Sequence, residues 1–215
     1  MRNTHWKFWL AAANTALVLA ATPALAADQL RDVPAFTSIT SQGAFQVTVN
    51  VGQKQSVALS GTDTALAKIE TKVVDGVLTL TMQEHKNAIN DEKMVRITIN
   101  VEQLNQFQME GAGKTELNNI AAERFRLNYQ GVGLLRATGK VQTFVLKAEG
   151  VGAVNARDLE AQHVDVNLQG VGSVKVWAKE SLRAKVDGIG SLTYYGKPSR
   201  ISKTVDGIGS ISAGD

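Results

Sequence analysis

The tripeptide Gly-x-Gly occurs six times in the second half of this chain, at Gly111-Ala112-Gly113, Gly131-Val132-Gly133, Gly150-Val151-Gly152, Gly170-Val171-Gly172, Gly188-Ile189-Gly190 and Gly207-Ile208-Gly209. The first glycines lie 20, 19, 20, 18 and 19 residues apart. A near-constant period of this length is the mark of a chain assembled from stacked copies of one short unit. Six, four and two places before the later corners stand Phe125, Leu127 and Tyr129, then Phe144, Leu146 and Ala148, Val164, Val166 and Leu168, Leu182, Ala184 and Val186, and finally Ile201, Lys203 and Val205. Only Lys203 interrupts the apolar set, and the residues between are mostly polar, the alternation of a strand with one buried face. The pattern resumes four places after each first glycine with Thr115, Leu135, Val154, Val174, Leu192 and Ile211.

A unit of strand, glycine corner, strand and turn is too small to bury its own apolar face. Copies must therefore stack, each strand pairing with its equivalent one repeat along at roughly 4.8 Å. The expectation is an all-β chain, a single-stranded right-handed parallel β-helix of 18–20 residues per repeat. A β-sandwich has no reason to repeat glycine pairs at a fixed interval. The glycines supply backbone conformations or close approaches that a side chain forbids. The aliphatic residue between them is expected to point inward and plug the corner. Were alternation to continue through the corner, Ala112, Val132, Val151, Val171, Ile189 and Ile208 would instead form an outward apolar stripe, which monomers seldom expose.

Upstream the pattern loosens. Alternating runs at 45–51, 77–82 and 95–101 read as strands, Val74-Asp75-Gly76-Val77 as a turn, and 62–68 as a short helix. We read residues 27–215 as one β-helix domain, with an irregular N-terminal part at 27–105 and regular repeats at 106–215. Residues 1–26 read as a signal peptide: basic Arg2 and Lys7, the apolar run 8–21, and Ala24-Leu25-Ala26 before a cleavage after Ala26. The apolar run falls short of the ~20 residues of a membrane span. No transmembrane segment is expected in the mature chain.

The leader holds two of the 23 basic residues and none of the 20 acidic ones, so the mature chain carries +1. Nucleic acid is not an expected partner. Absence of cysteine excludes disulfides, thiolate metal sites and a cysteine nucleophile. An exported chain without disulfides is ordinary in a bacterial periplasm.

The glycine corners, the exported N-terminus and the opening GAFQVTVNVGQ resemble the head GIN domain family, exported bacterial domains described as autotransporter adhesins. The likeness spans about residues 35–213. It implies a β-helix domain at the periplasm or cell surface, with no established activity.

Motifs of chemistry are few. GAGKT at 111–115 resembles the end of a phosphate-binding loop, but Gln108 stands where the first glycine is required. The third glycine of a dinucleotide fingerprint is missing at every corner, and calcium-binding nonapeptide repeats do not occur. Asp187 and Asp206 share one column of adjacent coils. At about 5 Å they would suit a bridging cation or a retaining glycosidase pair. As residues before glycine they equally suit a turn with solvated charges. His85 and His163 lack metal-ligand spacing, and Ser173, Ser191 and Ser210 lack a neighbouring base.

Trp177 and Tyr195 share the outward position seven places after the corner in consecutive repeats, with Tyr194 inward beside them. Flat rings beside Asn, Gln and Asp can stack on sugars. No catalytic group, metal or cofactor is expected. The functional expectation is an exported, non-catalytic binding or structural module of the bacterial envelope whose partner is a glycan or other envelope component. Two rivals are a carbohydrate-active enzyme using Asp187, Asp206 and Glu149, and a scaffold that self-assembles through open solenoid ends or the aliphatic corners.

Overall fold

The computed structural model describes residues 27–83 and 95–215. The leader expected at 1–26 and His85 lie outside the described residues. Six strands come first: β1 (Ala27–Arg31), β2 (Ser38–Val51), β3 (Ser56–Gly61), β4 (Ile69–Val74), β5 (Val77–Met82) and β6 (Val95–Val101). Four long ones follow, β7 (Gln106–Tyr129), β8 (Val132–Ala148), β9 (Val151–Leu168) and β10 (Val171–Val186), then the shorter β11 (Ile189–Tyr195), β12 (Arg200–Val205) and β13 (Ile208–Ala213). One helical turn, α1 (Asp63–Leu66), is capped by the Thr62 side chain.

The chain forms a β-solenoid of about five stacked parallel coils. β7 pairs with β8, β8 with β9, β9 with β10, and β10 with β11 and β12, every ladder parallel. Register is fixed by the corners: Ala112, Val132, Val151, Val171, Ile189 and Ile208 occupy one row. The corner backbone stays paired between coils, with the Glu149 amide donating to Tyr129 O (2.8 Å) and the Val151 amide to Gly131 O (2.9 Å). Inward columns form aliphatic and aromatic ladders, and Phe125 and Phe144 stack on adjacent coils with centroids 6.0 Å apart.

Close approach of the coils is what requires glycine. A Cβ on Gly133 would overlap the carbonyl oxygen of Gly113, and Gly133 also has φ +139°. The side chain between the glycines does not plug the corner, contrary to the expectation: Ala112 is exposed, and Val132, Val151, Val171, Ile189 and Ile208 are 47–78% exposed. Alternation continues through the corner. The glycines face the preceding coil, and residues two places before them fill the inner space. Tyr129 occupies it for two coils, its hydroxyl 3.0 Å from both Gly133 O and Val151 O. Burial raises the Tyr129 pKa, partly offset by the backbone at Gly133.

Intervals of 18–20 are absorbed opposite the glycine corner, by bulges. The β9–β10 register slips between Val176 and Trp177 and again between Ala178 and Ser181. A bulge bends its strand and re-aims the side chains beside it.

β2 pairs with β7 from Ser38↔Gln106 to Asn50↔Asn118, placing Gly43-Ala44-Phe45 beneath the first Gly-x-Gly corner. β1, β3, β6 and the β4–β5 hairpin form an end structure around this strand, with antiparallel pairings β1–β3, β3–β6 and β4–β5. The hairpin turns at Asp75 (φ 48°) and Gly76 (φ 72°), both left-handed as a two-residue hairpin loop requires.

Candidate functional site

Two outer regions collect the residues singled out by sequence. Trp177 and Tyr195 are neighbours on β10 and β11. Both are half-buried. Arg157 holds its guanidinium 4.2 Å from the centre of the Tyr195 ring, and that ring also packs against Gly214. Trp177 sits at the bulge, beside Glu160 on β9. There it lines a recess of about 280 Å³ together with Lys140, Gln142, Glu160, Gln162 and Lys179. Lys140 and Glu160 are an exposed ion pair at 3.4 Å. The arrangement offers an apolar ring face ringed by amide, carboxylate and ammonium groups, whereas Tyr195 has its ring occupied by Arg157 and Gly214. Tyr194 is buried, and Lys203 Nζ lies 2.9 Å from its hydroxyl and 4.4 Å from its ring centre. Lys203 therefore interrupts the apolar column because it lies over the last ring of the core.

Asp187 and Asp206 do come together, around a cation the chain itself supplies. Lys185 Nζ is 3.4 Å from Asp187 Oδ2 and 3.5 Å from Asp206 Oδ2. The hydrogen bond to Asp187, followed by that residue's charge and the bond to Asp206, raises the Lys185 pKa. Farther along the same outward column Glu149 pairs with Lys147 at 2.7 Å and accepts from Gln130 at 2.8 Å. The Lys147 bond, then Gln130, lowers the Glu149 pKa. Asp187 and Glu149 thus each have a lysine two positions earlier in the chain, whereas Asp206, preceded there by Thr204, shares the Lys185 of the preceding coil. No group of three or more His, Asp and Glu side chains suited to a metal occurs among the described residues.

Along the corner, the row from Ala112 to Ile208 forms a straight apolar ridge, widened by exposed Leu134. Its flank is the polar column of Gln130, Glu149, Gln169, Asp187 and Asp206.

One association escaped the sequence reading: His163 Nδ1 lies 2.9 Å from Ser181 Oγ. The two are 18 residues apart, one repeat, so the period itself held the signal. Thr143 precedes His163 in that row and Arg200 follows Ser181.

Stacked parallel coils with flat outer faces define a β-solenoid of the kind that presents side chains in ladders. Residues 35–198 match the family described as "Putative auto-transporter adhesin, head GIN domain", and the chain belongs to it. Several solved structures share the fold, three of which follow. The first is a "putative adhesin" from Bacteroides fragilis, with TM-score 0.72, 24% identity and coverage of 87% of this chain and 96% of that one. A "Putative lipid binding protein" from Parabacteroides distasonis aligns with TM-score 0.53 and 19% identity, covering 89% and 97%. A "putative adhesin" from Parabacteroides merdae gives TM-score 0.51 and 13% identity, also covering 89% and 97%. The comparison with curated proteins gave no match. No helix among the described residues is long and apolar enough to cross a membrane.

Proposed function

We propose that the domain is an exported, non-catalytic, adhesion-like module of the bacterial envelope that contacts glycans at the Trp177 recess. The observation that carries this reading is the half-buried indole at a bulge, surrounded by Gln142, Gln162, Glu160, Lys140 and Lys179. An aromatic face contributes apolar area at little ordering cost, and the bulge holds it on a rigid strand. Family membership and the leader-like N-terminus support an exported setting. The non-catalytic reading is supported by Asp187 and Asp206 being engaged with Lys185. Tyr195 serves the site by flanking Trp177. A glycan array probed with the mature chain is the test. Trp177→Ala should weaken retained sugars by roughly tenfold, an effect of about 1.4 kcal/mol, and Tyr195→Ala by less. Retention untouched by Trp177→Ala would remove the reading.

The exposed ridge favours a second reading, self-association between copies laid ridge to ridge. Exposed apolar ladders of this kind mark contact surfaces, and a row of equal spacing is complementary to itself. The solenoid end is less suited to pairing, because an inward-pointing charge such as Lys203 blunts an edge. Light scattering over a concentration series should show a mass increase that Val151→Ser with Val171→Ser abolishes; a constant monomer mass in the unsubstituted chain rejects it.

A further inference from the structure

A few residues along the strands from Trp177, a second recess of about 440 Å³ opens on the outer face of β8, β9, β10 and β12. Register places Thr143, His163, Ser181 and Arg200 in one row across the four strands, with Asp165, Arg183 and Ser202 in the next outward row. All seven side chains line the recess. Hydrogen-bond donors dominate: two guanidinium groups, three hydroxyls and an imidazole already in contact with Ser181. The one carboxylate, Asp165, is engaged by Arg183 at 3.5 Å, in an exposed pair of a kind that is weak in water and open to competition. Arg200 has no ion pair among the described residues.

This differs from the Trp177 recess, where an indole is among the lining groups and opposite charges are mixed. A planar guanidinium presents paired N–H donors that match phosphate oxygens, and hydroxyls satisfy the oxygens that remain. Acyl or phosphoryl transfer is not favoured by the same geometry, because a nucleophile's base must itself be oriented by a third group. Asp165, the acid nearest in register, is turned to Arg183 rather than to the His163 ring.

We infer that this recess binds a phosphate ester, gripped between Arg183 and Arg200 with Ser181, Ser202 and His163 completing its contacts. The phosphate can be borne by a saccharide or by a lipid headgroup, which present the same chemistry to the site. The inference is independent of glycan contact at Trp177.

The test is a titration of the ¹⁵N-labelled mature chain, reading the His163 ring and arginine side-chain resonances. One arm uses glucose 6-phosphate with glucose as control. The other uses phosphatidylcholine vesicles with and without phosphatidylglycerol, scored by co-sedimentation. The expected result is a saturable response to glucose 6-phosphate or to the phosphatidylglycerol vesicles, weakened by added salt. A response to the first alone assigns a saccharide-borne phosphate, and to the second alone a lipid headgroup. Arg200→Gln should weaken binding roughly tenfold, and adding Arg183→Gln should abolish it. Both arginines are exposed, so the substitutions leave the core intact. Trp177→Ala should change nothing. No saturable response in either arm, or an equal loss from Lys197→Gln outside the recess, overturns the proposal.

Discussion

In residues 106–215 every ladder is parallel and joins equivalent positions one repeat apart, whereas residues 27–105 include three antiparallel pairings around the single strand β2. The two regions solve one problem differently. A parallel coil needs a neighbour of the same shape on each side, and its glycine corner exists because neighbours come so close. The N-terminal region ends the stack with strands of another orientation, so its turns face open space. An asparagine ladder joins the regions: Asn118 donates to Asn50 (3.1 Å), Asn50 to Asn100 (3.0 Å) and Asn100 to Ser56 (3.0 Å). Glycine therefore means close packing at the coil corners, whereas at Gly52 and Gly76 of the N-terminal region it meets nothing and supplies only a left-handed backbone.

The sharpest way to break this contrast is to add one methyl group in each region. Gly133→Ala should cost at least ~3 kcal/mol, or prevent folding, because its Cβ meets backbone that cannot yield. Gly76→Ala, with φ +72° and nothing near its Cβ, should cost only about 1 kcal/mol by urea unfolding. Equal costs would show that the coils do not approach as described.

Next in size is Tyr129→Phe, which strips a buried hydroxyl from Gly133 O and Val151 O and should cost about 1–2 kcal/mol. The folded state holds the Tyr129 pKa above its ordinary value. Its contribution is thus complete below the unfolded pKa and is lost as pH rises through the folded one. The phenylalanine variant should lack that alkaline component in a melt followed against pH.

Smaller still is the difference between the two sides of one corner. Val154→Ala, at a buried position, should destabilise by roughly 2 kcal/mol. Val151→Ser on the ridge should stay within about 0.5 kcal/mol. The smallest change expected is for Lys185→Gln, which separates Asp187 and Asp206 from their shared ammonium at the exposed surface. A melt above pH 7 should scarcely move, and a large fall would show that the pair is structural.

Much of the fold was legible because the evidence for it is local and repeated. Phe125, Phe144, Val164 and Leu182 share an inward column that alternation alone assigns, and all are buried. The direction of the corner side chains is not legible in the same way. Alternation, not the burial of valine, decides which way these side chains face, and at the corners of Gly131 and Gly150 the Tyr129 ring fills the inner space. The first corner was also hidden, since Gly43-Ala44-Phe45 carries no second glycine and 68 residues separate it from Gly111. Trp177 beside Tyr195 could be read from the period, but the recess depends on a bulge. The contact of His163 with Ser181 required applying the period to polar residues as well as apolar ones.

The amino-acid order by itself determined the repeat, the parallel register and the inner and outer faces, because backbone pairing and side-chain alternation act over a few residues and recur in each coil. Only the tertiary structure decided which way the corner valines face, what holds Asp187 and Asp206, and that Arg183 and Arg200 line one recess with His163. Those outcomes depend on how closely neighbouring coils approach and where a bulge shifts their register, and neither distance is written in any one repeat.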